Sequence, residues 1–328
     1  MDIAEILKIL NEAHGPSGDE GGIREKIASL ARPWADEVMT DTLGSLIVHK
    51  NGDGPRVMFA AHMDSIGLIV THIEKEGFLR VGRLGGVAPR EAAYTPVRFK
   101  NGVQGVFVPE EKADFGKLKL DECFIDIGAR DEAGAKTMVQ VGDTCVYDQP
   151  VRIQGDRVTA PYLDNRMACA VLLAALERMK TPACDLYVVF TVQEEVGLRG
   201  ARTATWWVEP DVGIAMDVTD VDDTPGSEKT GTTQLGKGAA IKVMDSSIIC
   251  HPDVVARLWS LAQAQNIPAQ RDILRSGGTD AGAIHTTRLG VKTGGISIPC
   301  RYIHTPAETA SLADAEACVR LAVAFAQQ

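Results

Sequence analysis

Apolar residues repeat at helical spacing near the start of the chain, over residues 2–13 and 20–31. This period gives each segment one apolar face, as in helices that pack on a core. Residues 15–18, with the sequence GPSG, separate the two segments and combine residue types that favour turns. The pattern therefore predicts two helices joined by a turn.

Nearly continuous apolar runs and further helical patterns alternate in most of the remaining chain. The runs predict strands over residues 45–50, 56–62, 186–192, 212–218 and 291–298. The helical patterns cover residues 165–180, 200–208, 254–266 and 306–326, and a polar, Gly-rich loop is predicted over 219–238. Strands that are apolar on both faces suit a sheet with helices on each side. We expect an α/β fold with a largely parallel or mixed sheet.

The pattern changes from about Thr71 to Ala160, where Gly, Asn and Asp interrupt short runs rich in Val, Ile and Phe. Within this stretch only residues 131–138 have the length of a helix. Strands at such spacing predict a small β-barrel or sandwich. Because α/β patterns lie on both sides, we predict a β-domain over residues 71–159, inserted into a main domain of residues 1–70 and 160–328.

Composition and charge are typical of a soluble globular protein, with 45% hydrophobic and 24% charged residues in 328. The net charge of −10 gives no sign of a basic face for nucleic acid or an anionic membrane. No apolar run approaches the roughly 18 residues of a membrane span, and the N-terminal segment lacks the features of a secretion signal. Seven cysteines without a CxxC pair suit a reducing compartment. We therefore expect a cytoplasmic protein.

Five metal-binding side chains lie where strand-like runs give way to polar or Gly-rich stretches: His62, Asp164, Glu195, Asp217 and His304. In open α/β sheets, ligands bind beyond the carboxyl ends of the strands, so folding would bring such residues together. Pairs of hydrolytic metal ions use imidazole and carboxylate ligands. If one carboxylate is shared, five residues supply three ligands to each ion. The pattern predicts a site for two metal ions.

Two further carboxylates adjoin these candidate ligands. Asp64 follows His62 by two residues on the same side of an extended segment, where it could accept the free imidazole N–H and fix the tautomer. Glu194 precedes Glu195, and neighbouring side chains of an extended chain point in opposite directions. One glutamate can then bind metal while the other acts as a general base.

A Gly-Gly turn before a predicted helix is a candidate for the substrate pocket, because backbone N–H groups at such a turn can bind an anionic group. Gly278 and Asp280 are the predicted contacts there, with His285 one turn further on. Lys237 and Arg301 are the basic residues predicted to contact a substrate carboxylate.

Six motifs along the chain resemble those of the M42 family of metallo-aminopeptidases. In chain order they are AHMDSIG, LDNR, QEEVGLRGA, AMDV, SGGTDAGAIH and RYIHTPAE, with the β-insert between the first two. The resemblance spans nearly the whole chain. It implies a three-layer α/β/α catalytic domain of the zinc-peptidase type and a PDZ-like insert that forms dimers. It also implies a homo-oligomer, from a dimer up to a hollow dodecamer.

The resemblance further implies how the five ligands divide. His62 and Asp217 would hold one ion, Glu195 and His304 the other, and Asp164 would bridge them. Two divalent ions per subunit follow, with zinc, cobalt or manganese suited to these ligands.

The remaining implied roles concern catalysis. Glu194 would be the general base that acts on a water between the ions, and Asp64 would orient a histidine ligand. A cis peptide is implied after the bridging aspartate. The substrates would be peptides, from which the enzyme removes N-terminal residues.

Other functions are compatible with the same residues. The metal site could serve a carboxypeptidase or an N-deacylase, and a noncatalytic scaffold could bind metal structurally. Structural zinc sites are usually rich in cysteine, which this site lacks. A glycosidase would use a pair of carboxylic acids without a metal cluster.

Overall fold

The computed structural model describes residues 1–227 and 231–328. Residues 228–230, part of the loop predicted over 219–238, lie outside the described residues. The α-helices of the described part are α1 Ile3–Asn11, α2 Gly21–Ala31, α3 Pro89–Ala92, α4 Glu132–Met138, α5 Leu163–Arg178, α6 Arg199–Val208, α7 Pro252–Ala264, α8 Ala281–Ile284 and α9 Leu312–Ala326. Its strands are β1 Glu37–Thr40, β2 Leu46–Lys50, β3 Arg56–His62, β4 Gly67–Ile73, β5 Leu79–Leu84, β6 Pro96–Phe99, β7 Gln104–Pro109, β8 Cys123–Asp126, β9 Thr144–Tyr147, β10 Arg152–Gln154, β11 Arg157–Ala160, β12 Asp185–Thr191, β13 Val212–Asp220, β14 Ala239–Met244, β15 Ala269–Ile273, β16 Lys292–Arg301 and β17 Glu308–Ser311.

A large mixed sheet forms the centre of the molecule. Its strands follow the order β1-β2-β12-β3-β13-β16-β17-β11-β10, and β14 pairs with both β16 and β15. The central strands β12, β3, β13 and β16 are parallel neighbours. Their carboxyl ends therefore meet at one edge of the sheet, where a strand-end site is expected.

Alternating side chains of β3 fill two separate layers of the core. Val57, Phe59 and Ala61 pack in the larger cluster with α1, α5 and α9, whereas Met58 and Ala60 pack in a second cluster with α6 and α8. This alternation follows from the two-residue period of a strand with both faces buried. The sheet thus lies between two helical layers, as the three-layer prediction requires.

The inserted segment forms a closed barrel with the strand order β4-β5-β8-β7-β6-β9. It has its own core, in which Phe99, Phe107 and Ile125 are fully buried. Closure removes the free edges that an open sheet of six short strands would expose. The predictions of an α/β fold and of a small β-domain are both confirmed.

The barrel strands begin slightly before residue 71 and end well before residue 159, the two limits of the sequence-based division. Residues 67–70 already belong to barrel strand β4, and barrel strand β9 ends at Tyr147. The later strands β10 and β11 pair in the large sheet, through β17. Local composition does not distinguish these strands from those of the barrel, because only their pairing partners differ.

The C-terminal segment differs from the single helix predicted over residues 306–326. Glu308–Ser311 forms strand β17, which pairs with β16 and β11. The helix α9 begins only at Leu312, after the Ser311 hydroxyl accepts the N–H of Asp314 as an N-cap. Strand pairing on both sides therefore overrides the helical tendency of the first residues.

Among residues 1–227 and 231–328, no helix combines the length and the apolar character needed to cross a bilayer.

Candidate metal centre and active site

Two of the predicted ligands lie at the carboxyl ends of neighbouring parallel strands. Ala60 of β3 pairs with Ala215 of β13. His62 and Asp217 each follow two residues later, so their side chains project from the same face of the sheet. The His62 Nε2 and Asp217 Oδ1 atoms lie 3.7 Å apart.

Asp164 reaches this edge from the amino end of α5. Its φ and ψ angles of −81° and 100° depart from helical values, and the peptide bond to Asn165 is cis, as the resemblance implied. The Asn165 side-chain amide donates a hydrogen bond of 2.9 Å to the Met216 carbonyl oxygen. This bond fixes the start of α5 against β13, beside the ligands described above.

The Asp164 carboxylate faces two histidines, one with each oxygen. Oδ1 lies 3.0 Å from His62 Nε2, and Oδ2 lies 3.2 Å from His304 Nε2. Glu195 Oε2 also lies 3.2 Å from His304 Nε2. Two groups result, with ligand atoms within 4.8 Å of one another in each: His62 with Asp164 and Asp217, and Asp164 with Glu195 and His304.

The donor atoms of both groups fit divalent metal ions. Each group combines one imidazole with two carboxylates, a set that suits zinc, cobalt or manganese. Glu195 Oε1 is buried and has no hydrogen-bond partner, so a cation would satisfy it. Burial alone would lower the pKa of His304, but its bonds with Asp164 and Glu195 outweigh burial and raise this pKa to about 11. The carboxylates thus favour a positive charge here, which a metal ion supplies.

Glu194 lines the same cavity but belongs to neither ligand group. The sequence-based argument considered an extended pair, but Glu195 lies in a turn. The Glu194 carbonyl oxygen accepts the N–H groups of Gly197 and Leu198, at 2.8 and 2.9 Å, and closes a turn. This turn gives the two glutamate side chains different surroundings. Burial and the neighbouring carboxylates raise the pKa of Glu194, although His62 opposes the shift.

Asp64 is fully buried and supports the site more broadly than predicted. Its carboxylate accepts the backbone N–H groups of Glu194 and Glu195, at 3.0 and 3.3 Å, and the Ser17 hydroxyl at 2.6 Å. His62 Nδ1 lies 3.1 Å from the Asp64 carbonyl oxygen and 3.6 Å from its carboxylate. The backbone carbonyl is therefore the closer partner of the imidazole, while the carboxylate mainly holds the glutamate turn.

Glu308, which the sequence did not single out, connects two of the ligands. Its carboxylate accepts the backbone N–H of Asp164 at 2.8 Å with Oε2 and that of His304 at 2.9 Å with Oε1. The residue is fully buried. Its only sequence signal is its place in the RYIHTPAE motif, four residues after His304.

A cavity of about 550 Å³ opens onto the ligands. Beyond the ligands and Glu194, it is lined by Leu198, Val218, Thr219, Asp220, Leu274, Ser276, Gly277, Gly278 and Ile303. The strand ends and the Gly-Gly turn therefore share one concave surface, large enough for an amino-acid side chain.

The remaining predicted pocket residues lie in different places. Gly278 lines the cavity, but Asp280 is buried behind it, where its carboxylate accepts the Thr191 hydroxyl at 2.6 Å. Burial raises the pKa of Asp280 to about 7. Arg301 forms an ion pair of 2.6 Å with Asp223. Arg301 is absent from the described cavity wall.

Two weaker candidates are likewise outside the cavity wall that the structure describes: Lys237 is exposed, and His285 Nδ1 lies 2.9 Å from the Ala281 carbonyl oxygen.

Comparison with known proteins identifies relatives that match nearly the whole chain. The model of the M42 glutamyl aminopeptidase family matches residues 44–321. The chain is 37% identical over 338 residues to the lysyl aminopeptidase of Pyrococcus furiosus, covering 99% of this chain and 96% of that protein. Its structure matches an aminopeptidase of the archaeon Desulfurococcus kamchatkensis with a TM-score of 0.95 and 38% identity, covering 99% and 94% of the two chains.

A second solved structure, the TET1 peptidase of Pyrococcus horikoshii, matches with a TM-score of 0.89 and 32% identity over 100% of both chains, and it can assemble into a tetrahedron or a large octahedral shell. The matches cover the ligand-bearing domain and the barrel together. The chain therefore belongs to the M42 family and is an aminopeptidase, an enzyme that hydrolyses peptide bonds.

Proposed function

We propose that this aminopeptidase uses two metal ions and that Glu194 is its general base. The proposal depends above all on Asp164, whose two carboxylate oxygens face different histidines at 3.0 and 3.2 Å. A carboxylate in this position can be shared by two ions. His62 and Asp217 would complete one site, and Glu195 and His304 the other.

Bound ions would polarise the scissile carbonyl and make a water molecule more acidic. Glu194 is the cavity carboxylate adjacent to both groups but outside them, so its oxygens are free to receive a proton. It would take the proton of the attacking water and transfer it to the leaving amine nitrogen. Asp64 contributes by holding the backbone of the Glu194 turn.

The charge of the cavity favours the amino end of a peptide. No described residue of its wall is Lys or Arg, whereas Glu194 and Asp220 add negative charge beside the ligands. Two divalent ions would offset four of the five carboxylate charges of the wall. The occupied cavity would then have no excess positive charge to bind a C-terminal carboxylate, whereas Asp220 could attract an α-ammonium group. The observation supports an aminopeptidase over a carboxypeptidase acting at the same metal site.

Replacement of Glu194 by Gln tests the base. The amide keeps the shape of the side chain but cannot accept the proton, so we expect kcat to fall at least about a hundredfold. Metal content, measured by elemental analysis of dialysed protein, should stay at two ions per chain. Turnover would be followed with amino-acid p-nitroanilides and with their N-acetylated forms, which an aminopeptidase should not cleave.

Glu25→Gln is the matched control, since Glu25 is exposed on α2. It should leave both metal content and kcat unchanged. Near-normal turnover of Glu194→Gln would rule out this base, and efficient cleavage of the acetylated substrates would favour an N-deacylase instead.

Three finer proposals accompany the mechanism. Zinc is the proposed ion, with cobalt and manganese as alternatives for the same ligands. The barrel is proposed to mediate a homodimer within a larger assembly, a view supported by the assemblies of the TET1 relative. A cytoplasmic location is supported by the seven cysteines, all of which are buried and free.

A further inference from the structure

A loop of the barrel lies directly against the second ligand group. A methyl group added at Gly86 would overlap the His304 ring, meeting Nδ1 and, at 2.7 Å, Cε1. A methyl group at Gly85 would lie 3.0 Å from Glu195 Oε2, and Gly85 also has a φ of +74°. Only glycine fits such close approach without displacing a neighbour. The barrel backbone therefore occupies the space beside His304 and Glu195.

The position of this loop is set by the barrel. On one side it follows Leu84, the last residue of β5, which pairs with Gly67 of β4. On the other side it leads into Val87, which is 2% exposed in the barrel core. Because both ends are held, the two glycines between them have little freedom to move away from the metal ligands.

Few other contacts of the described residues fix the His304 ring. It lies in the connection between β16 and β17, has a φ of +65°, and retains about a third of its side-chain exposure. Glu308 fixes its backbone N–H, and the two carboxylates contact only Nε2. The Gly86 backbone lies at the other edge of the ring, against Nδ1 and Cε1.

We propose that the Gly85–Gly86 loop is a positioning element that holds His304 and Glu195 in place for the second metal ion. The barrel would then be part of the active site in addition to any role in assembly. This inference rests on the proposed two-ion function. It concerns the group of Asp164, Glu195 and His304. The positions of His62 and Asp217 are set by strands of the large sheet instead.

Gly86→Ala tests the proposal through metal binding. The added methyl should push the His304 ring aside. The affinity for the second zinc ion should then fall at least about tenfold, the range seen when a group that orients a ligand is lost. Zinc titration of chelator-treated protein would be followed by equilibrium dialysis. One ion should bind with wild-type affinity, and the second should bind more weakly than in the wild type. Excess zinc should restore activity, which a general folding defect would not allow.

Gly134→Ala is the matched control, because Gly134 lies in barrel helix α4. Its added methyl would have one near neighbour, Asp131 Oδ1, at an ordinary contact distance of 3.4 Å. It should bind two zinc ions with wild-type affinity. If Gly86→Ala also binds both ions like the wild type, the proposed positioning role is wrong.

A double variant separates a local effect from misfolding. In a His304→Ala background the imidazole is gone, so Gly86→Ala should cause no further loss of zinc affinity and should restore folding if the single variant is unfolded. Additive losses, or a double variant that is also unfolded, would overturn the proposal. A wild-type protein that binds fewer than two zinc ions would instead contradict the two-ion function itself.

Discussion

Buried polar side chains around the ligands decide the geometry of the site, and Glu308 shows this most clearly. One carboxylate fixes the backbone of both Asp164 and His304. The sequence could not reveal this role, because a glutamate in a polar stretch has the pattern of an exposed residue. The sequence did single out the five candidate ligands that the structure brings together, since side chains able to bind metal are a rarer combination at strand ends.

Glu308→Gln should impair metal binding although the side chain keeps its size. An amide has one acceptor oxygen, so one of the two backbone N–H groups would face the side-chain NH₂ and lose its bond. A buried unsatisfied donor costs about 1–3 kcal/mol, and relieving this cost would move Asp164 or His304 away from the position that suits the ion. If the whole amount is lost from zinc binding, zinc affinity falls roughly 5- to 150-fold. Equilibrium dialysis with zinc measures the effect.

The exposed Glu25→Gln variant is again the control for Glu308→Gln. Wild-type zinc affinity in Glu308→Gln would show that the shared carboxylate does not position the ligands.

The predicted pocket residues illustrate what sequence spacing leaves undetermined. Gly278 lines the cavity, whereas Asp280 bonds to Thr191 and Arg301 pairs with Asp223. Each of these partners lies far away in the chain. A charged residue near a motif can therefore be assigned to a substrate only after its internal partners are known.

At the scale of elements, the spacing of hydrophobic residues along the sequence predicted the long helices and the buried strands well. Residues 165–180 were predicted as a helix, and α5 covers Leu163–Arg178. The short strands β15 and β17 gave no such signal, because four or five residues cannot display a period and their stability comes from pairing. Tertiary pairing is the information that a local pattern lacks.

The contact between the N-terminal helices and the barrel should depend on pH through His14. This residue is 7% exposed, its Nε2 lies 2.8 Å from the Thr144 hydroxyl, and Asp19 lies 3.3 Å away. Burial, only partly opposed by Asp19, lowers the pKa of His14 to about 4. The unfolded chain, with a histidine pKa near 6.5, binds the proton first as the pH falls. Through His14, the free energy of unfolding therefore decreases as the pH falls from about 6.5 to 4. Above this range, His14 does not change it.

His14→Gln should flatten this dependence. Urea unfolding in the presence of chelator, at pH values from 7.5 to 5, compares the variant with the wild type without any effect of metal loss. The wild type should lose about 2 kcal/mol more than the variant by pH 5, because this pH lies about 1.5 units below the unfolded pKa and still above the lowered pKa of about 4. Parallel stability curves for the two proteins would show that His14 is not the responsible group.

At the scale of the whole molecule, the insertion of one folded unit into another was predictable, because the pattern of apolar and polar residues changes at two places in the sequence. The closed barrel could not be distinguished from a sandwich, since both alternate short strands with turns. Nor could the sequence show that the barrel touches the metal centre. That contact depends on two glycines, which carry no side-chain signal.

The proposed assembly can be tested on the intact protein. Light scattering during size-exclusion chromatography should give a mass of at least twice the 35.1 kDa of one chain. A mass of 35.1 kDa that persists over a range of protein concentrations would contradict the homo-oligomer.

The wide separation of the candidate ligands along the chain also determines when the site can be completed during synthesis. Ribosomes build the chain from its N-terminus, and domains fold in that order. His62 would emerge early and Asp164 at half the length of the chain, but the second group stays incomplete until His304 has been added. On the proposed two-ion mechanism, a growing chain would therefore gain peptidase activity only after His304 has been added.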